Sequence, residues 1–258
     1  MLTETYARLC AMFLGLPLSV ARTISVVRTL GYIVAFRRGT SDKGVLEHSF
    51  ENDIFLSGVP EYQPRNGDVV LDVGAHLGDF SMLVAREIGS GRVYALEPCD
   101  ETFRLLKLNI RLNKITNIRP QKVALADHDG TCMLYQAPDG QDWGNSTVYD
   151  YAFHSEEVKC LTLKTFMDEL NIDQVDFAKF NCEGAEFSVL LDADPEVLRR
   201  FSTMLVLYHS DFATNFVEEE AVGFESDLVR HLTDCGFGVS IREKSSQRGW
   251  IVATRQEI

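Results

Sequence analysis

Residues 69–78 read VVLDVGAHLG, and residues 93–98 read VYALEP. The first apolar run carries Asp72, breaks into glycines and gives way to an amphipathic stretch. The second ends in Glu97 and Pro98. Short apolar runs bounded by turn residues and followed by a helical pattern are the signature of buried parallel strands. Two such units in succession are the layout of a nucleotide-type cofactor site, built at the carboxyl ends of adjacent strands.

The rhythm continues outward. Asp68–Val73 reads as a strand, Asp79–Ile88 as a helix, Arg92–Leu96 as a strand, Asp100–Asn113 as a helix and Ile118–Leu125 as a strand. Three β-α units with short loops predict a parallel sheet with helices on both faces. Short strands at Thr131–Gln136 and Val158–Leu161 flank a long loop, APDGQDWGNSTVYDYAFHS. A loop of this length in a compact domain is a functional candidate. Thr162–Leu170 then reads as a helix with Thr162 as N-cap, Val175–Phe180 as a strand and Ala185–Leu191 as a helix. Met204–Tyr208 is a further strand and Phe216–Cys235 a long amphipathic helix. Phe237–Arg242 and Gly249–Thr254 close the pattern as a hairpin. The expected fold is α/β: a Rossmann-like sheet of seven strands, mostly parallel with the last antiparallel, behind an N-terminal helical extension at 1–40. Residues 41–258 form the cofactor-dependent domain, with 41–67 reading as a linker around one short element at 45–55.

Asp72, Gly74 and Gly78 make a DxGxxxG turn between strand and helix. Glycine lets the backbone bend and approach a ligand without a Cβ in the way. The following helix start offers unpaired N–H groups to a carboxylate, and Asp72 suits an ammonium, held directly or through water. A methionine moiety carries both groups. A dinucleotide site would need G-x-G-x-x-G around a pyrophosphate, but here His76 replaces the middle glycine. Glu97, about 20 residues on, stands where an acidic group accepts two ribose hydroxyls. Together the motifs favour S-adenosylmethionine, with Asp72, Gly74, Ala75, His76, Gly78, Glu97 and Pro98 as cofactor residues and Ala124 and Leu125 near the adenine. Taken alone, the glycine turn also suits a tight bend without a ligand, and Glu97 a helix-start charge.

The segments GDVVLDVGAHLGDFSML (67–83), ALEP (95–98), VALADHDG (123–130) and LTLKTFMDELNIDQVDFAKFNCEGAEFSVL (161–190) resemble the FkbM-type methyltransferases, which are class I S-adenosylmethionine-dependent enzymes. The resemblance covers about residues 45–254 and is carried mainly by KFNCEGAE after TLKTF. It implies an O-methyltransferase, because the better-known members methylate hydroxyls of natural products and sugars. The family usually shows Asn at the position of His76 and commonly Asp at that of Asn181. Asn181 therefore removes a carboxylate that could serve as base or metal ligand, while its amide remains able to serve the cofactor. The resemblance also carries a Ser-containing turn near the pocket, which places Asn145 and Ser146 in the acceptor site.

An alcohol nucleophile must lose its proton, so a positioned base helps. His209, after a strand, is the first choice, because imidazole titrates near neutral pH, with Asp211 two residues on as the catalytic candidate to orient it. Glu183 is the second, as acceptor of the substrate hydroxyl, as base, as metal ligand or as a first-turn helix charge. Glu186 and Trp143 join Asn145 and Ser146 as substrate-side candidates, while Trp143, Tyr149 and Tyr151 also suit packing of the loop on the core. No metal is expected: no CxxC or Cys/His cluster is present, and position 181 lacks its carboxylate.

The chain of 258 residues carries a net charge of −13, which disfavours a nucleic-acid partner. The charge is uneven: Arg8, Arg22, Arg28, Arg37 and Arg38 stand against Glu4 in residues 1–40, about +4 for that segment. The apolar positions Leu9, Met12, Phe13, Leu16, Val20, Ile24, Val27 and Leu30 recur at helical spacing. The segment is too short and interrupted to span a membrane. It is expected to pack on the domain, to form a homodimer contact, or to lie on a membrane surface. Scattered cysteines point to a reducing, cytoplasmic setting. The acceptor is expected to be a small molecule or glycan. A nicotinamide oxidoreductase, a degenerate binding module and a methyltransferase acting on nitrogen or protein stand as rivals.

Overall fold

The computed structural model describes residues 4–51, 54–138, 144–210, 224–245 and 247–256. The chain enters through helices α1 (Glu4–Phe13) and α2 (Leu18–Thr23) and a hairpin of β1 (Ile24–Thr29) and β2 (Tyr32–Arg37). Helix α3 (Asp42–Leu46), a π-helical turn at Glu47–Glu51 and α4 (Ile54–Ser57) lead into β3 (Val69–Val73), α5 (Asp79–Glu87), β4 (Arg92–Leu96), α6 (Asp100–Leu112) and β5 (Ile118–Gln121). Next come β6 (Ala124–Leu125), β7 (Gly130–Gln136) and β8 (His154–Leu161), then α7 (Leu163–Glu169), β9 (Val175–Phe180), α8 (Ala185–Leu191), α9 (Pro195–Leu198) and β10 (Phe201–His209). Helix α10 (Phe224–Asp234), β11 (Phe237–Arg242) and β12 (Arg248–Arg255) complete it.

The main sheet has seven strands in the order β11-β12-β10-β9-β3-β4-β5. Pairings from β10 through β5 are parallel, and β12 runs antiparallel to both its neighbours. This is the Rossmann-like sheet expected, with the antiparallel strand last in the chain. One apolar layer lies between the sheet and α5, α6 and the N-terminal elements; the other lies under α7, α8 and α10. Side chains alternate across the pleat, so Phe177 enters the first layer while Ala178 and Phe180 enter the second.

Three expectations are corrected. Residues 118–125 are not one strand: the chain leaves the main sheet after Gln121, and Ala124–Leu125 pairs with β8 in a separate three-stranded sheet. Pro120, which lacks an N–H, sits on the edge strand β5, where proline is tolerated. Residues 24–37 are not helical. Leu30 (φ 48) and Gly31 (φ 86) form a two-residue turn between Thr29 and Tyr32, and positive φ at both positions matches the right-handed twist of a hairpin. Residues 42–51 and 54–57 are more than a linker, because Val45, His48, Ser49 and Phe55 line the cavity described below. The predicted helix at 216–235 is described from Phe224 onward; Trp143 and Asp211 lie outside the described residues.

The hairpin is held by two asparagines one helical turn apart, Asn109 on α6 and Asn113 capping its C-terminal end. Asn109 Oδ1 accepts from Ala35 N at 2.7 Å, and its Nδ2 donates to Ala35 O at 3.1 Å and Leu77 O at 3.0 Å. Asn113 repeats the pattern, accepting from Ile33 N and donating to Ile33 O, both at 2.8 Å. The two amides thus act as a further strand along β2, satisfying groups that would otherwise be buried unpaired. An Asn109→Ala replacement leaves the Ala35 N–H and two carbonyls without partners and is expected to cost roughly 2–3 kcal/mol, read as a lowered midpoint with unchanged slope in urea unfolding.

Candidate active site

A cavity of about 720 Å³ opens at the carboxyl ends of β3, β4, β9 and β10. In an open α/β sheet this is where ligands gather. Its wall includes Gly74, His76, Glu97, Pro98, Ala124, Leu125, Asn145, Asn181, Glu183 and His209, all expected from the sequence. Asp72, Ala75, Gly78, Ser146 and Glu186 are not on the wall, and the structure gives those whose side chains it bonds other work.

Asp72 and Lys179 face each other in register across β3 and β9. Both are buried, and Lys179 Nζ lies 2.8 Å from Asp72 Oδ1 and 3.1 Å from Gly74 O. Ser81 Oγ donates to Asp72 Oδ2 at 2.6 Å. The carboxylate expected to take an ammonium from a ligand already holds one from the chain itself. Lys179, missed in the sequence, also lies 5.3 Å and 5.8 Å from the ring centroids of Phe55 and Phe80, and it reaches the cavity wall. Nothing in its local sequence signals this role; the contact spans two strands far apart in the chain.

The turn after β3 is shaped by left-handed residues at Gly74, His76 and Gly78. A Cβ on Gly74 would collide with the Asn181 carbonyl oxygen, and one on Gly78 with the Leu106 side chain. Gly74 therefore lets the β3 and β9 turns touch, and Gly78 lets α5 pack on α6. The turn is pinned to β4 by Gly74 N and Ala75 N, both donating to Leu96 O. Glu97 Oε2 accepts from His76 N at 2.9 Å and Oε1 from Cys99 N at 3.0 Å. A carboxylate has about four acceptor sites, so two remain for a ligand. Burial pushes the Glu97 carboxyl up to about 7.

The N-terminal elements reach this turn. Asp42, fully buried, accepts from Arg37 N (2.7 Å), Nε (3.0 Å) and Nη2 (2.8 Å). His76 Nε2 lies 3.5 Å from Asp42 Oδ1, too long and misaligned for a hydrogen bond. Burial holds the His76 imidazole down at about 4, so it is neutral. Among the described residues, both of its ring nitrogens and Asn181 Oδ1 are buried without hydrogen-bond partners. Unpaired polar atoms of this kind on a cavity wall are what a bound polar ligand satisfies. With Glu97 as acceptor and the apolar Val123, Ala124 and Leu125 nearby, the residues fit an adenosine bearing an amino-acid tail.

Val45, His48, Ser49 and Phe55 also line the cavity, with Asp79, Leu207, Arg248 and Trp250. Phe55 stacks on Trp250 at 6.4 Å, and Ser49 hydrogen-bonds Asp79. Burial raises the Asp79 carboxyl to about 6.

His209 ends β10 between two carboxylates. Its Nδ1 is 3.3 Å from Glu186 Oε1, and its Nε2 is 3.6 Å from Glu183 Oε2. Burial disfavours the charged ring, but Glu183 and Glu186 outweigh it and raise His209 to about 9. The expectation of a neutral imidazole base is corrected: at neutral pH this ring is a cation. Glu186 is not substrate-facing. It is fully buried and accepts from Cys182 N at 2.7 Å and Gly184 N at 2.8 Å, bracing the turn that carries Glu183. Ser146 is likewise buried, donating to Glu183 O at 2.6 Å and accepting from Val148 N and Tyr149 N. It ties the long loop to the same turn, leaving Asn145 and Thr147 on the wall.

The sheet order and the site at its carboxyl ends define a class I methyltransferase fold. A family model described as "Methyltransferase FkbM domain" matches residues 72–239, and the chain belongs to that family of S-adenosylmethionine-dependent methyltransferases. "Methyltransferase 1" of Beauveria bassiana is 25% identical over 203 residues, covering 69% of this chain and 81% of that protein. "Methyltransferase sdnD" of Sordaria araneosa is 24% identical over 226 residues, covering 73% and 82% respectively. Among solved structures, EvdMO1 aligns over 97% of this chain and 47% of that one at a TM-score of 0.50 and 12% identity.

Lys179→Met strands a buried Asp72 carboxylate and is expected to lower the unfolding free energy by about 3–5 kcal/mol. Adding Asp72→Leu should restore most of that loss, since replacing both partners removes the uncompensated charge; urea titration of the single and double variants measures it.

Proposed function

We propose that this enzyme O-methylates a hydroxyl on a small molecule or sugar. The observation that carries the reading is the Glu183 carboxylate on the cavity wall, backed by a charged His209 that Glu186 anchors. A cavity of about 720 Å³ has to hold both cofactor and acceptor, which favours a small acceptor over a macromolecular one. The acidic chain supports the same choice, since nucleic-acid phosphates are gathered by clustered cations.

Glu97, Asn181 and His76 are the residues that would hold the cofactor, and S-adenosylmethionine supplies an electrophilic methyl on a sulfonium when bound. Glu183 would accept the proton of the acceptor hydroxyl, while the bound cofactor would supply the methyl and leave as S-adenosylhomocysteine, its methyl–sulfur bond broken and that electron pair kept by sulfur. His209 keeps Glu183 turned to the cavity. Phe55 and Trp250 exclude water and offer an apolar surface to the acceptor, and most of the acceleration comes from placement.

Two measurements test this. Calorimetric titration with S-adenosylhomocysteine should show affinity strengthening as the pH rises from about 6 to about 8, because Glu97 must ionise near about 7 to accept two hydroxyls. Glu97→Gln should weaken binding and flatten that dependence; unchanged binding would remove Glu97 from the site. In an acceptor screen read by mass, a gain of one methyl on oxygen is expected. Glu183→Gln should then lower kcat by about a hundredfold or more. The rate should hold through neutral pH and fall as His209 loses its proton near about 9. A rate that instead climbs toward that pH would make His209 the base.

A further inference from the structure

Helix α1 turns one face inward and one outward. Ala7 and Ala11 are buried against the body of the protein, while Tyr6, Leu9, Met12 and Phe13 stand on the other side, Leu9 at 59% and Phe13 at 81% exposure. Leu18 on α2 and Val27 and Leu30 on the hairpin add to it. Scattered exposed apolar residues need no explanation, but a concentration of them on elements that pack together, as α1 does with α2 and β1, does. Of the ten large hydrophobic side chains exposed among the described residues, these seven fall within residues 6–30. No helix among the described residues is long and apolar enough to cross a membrane.

The neighbourhood of the patch is cationic in a chain of net charge −13. Arg22, Arg28 and Arg38 are exposed on the adjoining α2 and hairpin, and Arg38 Nη2 donates to Arg22 O. Arg111 of α6 sits over the Phe13 ring, with its Cζ 5.6 Å from the centroid. Glu4, the lone acid of residues 4–40, is paired with Arg8 at 3.0 Å.

We propose that α1 and the hairpin beside it dock the protein on an anionic lipid surface. An apolar face with aromatic residues and a cationic border is the composition of an interfacial helix. Charge decides between this occupant and a second copy of the chain. A two-fold contact would set the same cationic border against itself, whereas anionic headgroups attract each exposed arginine. The face lies outside the residues that line the cavity, so docking leaves cofactor binding intact and stands independently of the acceptor's identity.

The test is cosedimentation of the full chain with vesicles of phosphatidylcholine alone and of phosphatidylcholine doped with phosphatidylserine. Binding to the doped vesicles is expected to exceed binding to neutral ones by about tenfold or more and to fall with added salt. The double variant Leu9→Glu, Phe13→Glu should lose that binding while keeping its affinity for S-adenosylhomocysteine, which shows that it is folded. Arg22→Gln with Arg28→Gln should weaken it by about tenfold or more. No binding to doped vesicles, equal binding to both kinds, or retention of binding by the glutamate variant would overturn the proposal. So would a dimer in sedimentation equilibrium that the glutamate variant dissolves, which would assign the face to a second copy.

Discussion

The buried pair of Asp72 and Lys179 is the constraint on which the site depends. The two residues are directly opposite in adjacent parallel strands, so the pair fixes the register of β3 against β9 at their carboxyl ends. Desolvating two charges is costly and is tolerated only with close geometry and further hydrogen bonds. Ser81 and the Gly74 carbonyl supply these. Through Ser81 the pair also positions the start of α5, and through Gly74 it holds the cofactor turn. The rings of Phe55 and Phe80 add an electrostatic attraction for the ammonium. Strand register, helix start and turn geometry thus answer to one ion pair.

A second arrangement repeats this logic on the acceptor side. Glu186 is fixed by two backbone N–H groups of the turn that precedes it, and it fixes His209 in turn. The turn bears two successive left-handed residues, Glu183 (φ 53) and Gly184 (φ 100). A non-glycine residue in that region is uncommon and is kept there by surrounding contacts. Ser146 supplies one such contact at the Glu183 carbonyl. The backbone is bent so that the Glu183 side chain, rather than that of Glu186, faces the cavity.

The sequence made the central sheet legible because its strands are short apolar runs, two of them, β3 and β4, closed by Gly74 and by Glu97-Pro98. The place of Glu97 and Gly74 on the cavity wall was legible for the same reason, since it follows from position at a strand terminus. The hairpin at 24–37 was not. Val20, Ile24, Val27 and Leu30 recur at helical spacing, yet Val27 and Leu30 are exposed in the hairpin, and the turn is Leu-Gly, lacking the Asn or Asp that normally marks such a turn. Lys179, Asp79, Asp42 and Ser49 were missed because their partners lie in other elements. The charge on His209 was misread for a related reason. An imidazole beside Asp211 in the sequence suggested a neutral base, while the fold places Glu183 and Glu186 around the ring.

The N-terminal elements connect the cofactor turn to the outer surface. Arg37 ends β2 and grips Asp42 with a fork of two side-chain bonds and one from the backbone. Asp42 faces His76, and the His76 amide rests on Glu97. Residues 4–57 therefore have two faces with different chemistry. The inner one carries a buried, hydrogen-bonded ion pair against the cofactor turn; the outer one carries exposed apolar side chains bordered by arginines. The tie to α6 through Asn109 and Asn113 makes the segment part of the domain's hydrogen-bonded frame, so the outer face is presented on a fixed support. The contacts run from β2 through the Arg37–Asp42 ion pair to the His76 ring, whose Nε2 lies 3.5 Å from Asp42, without crossing the sheet.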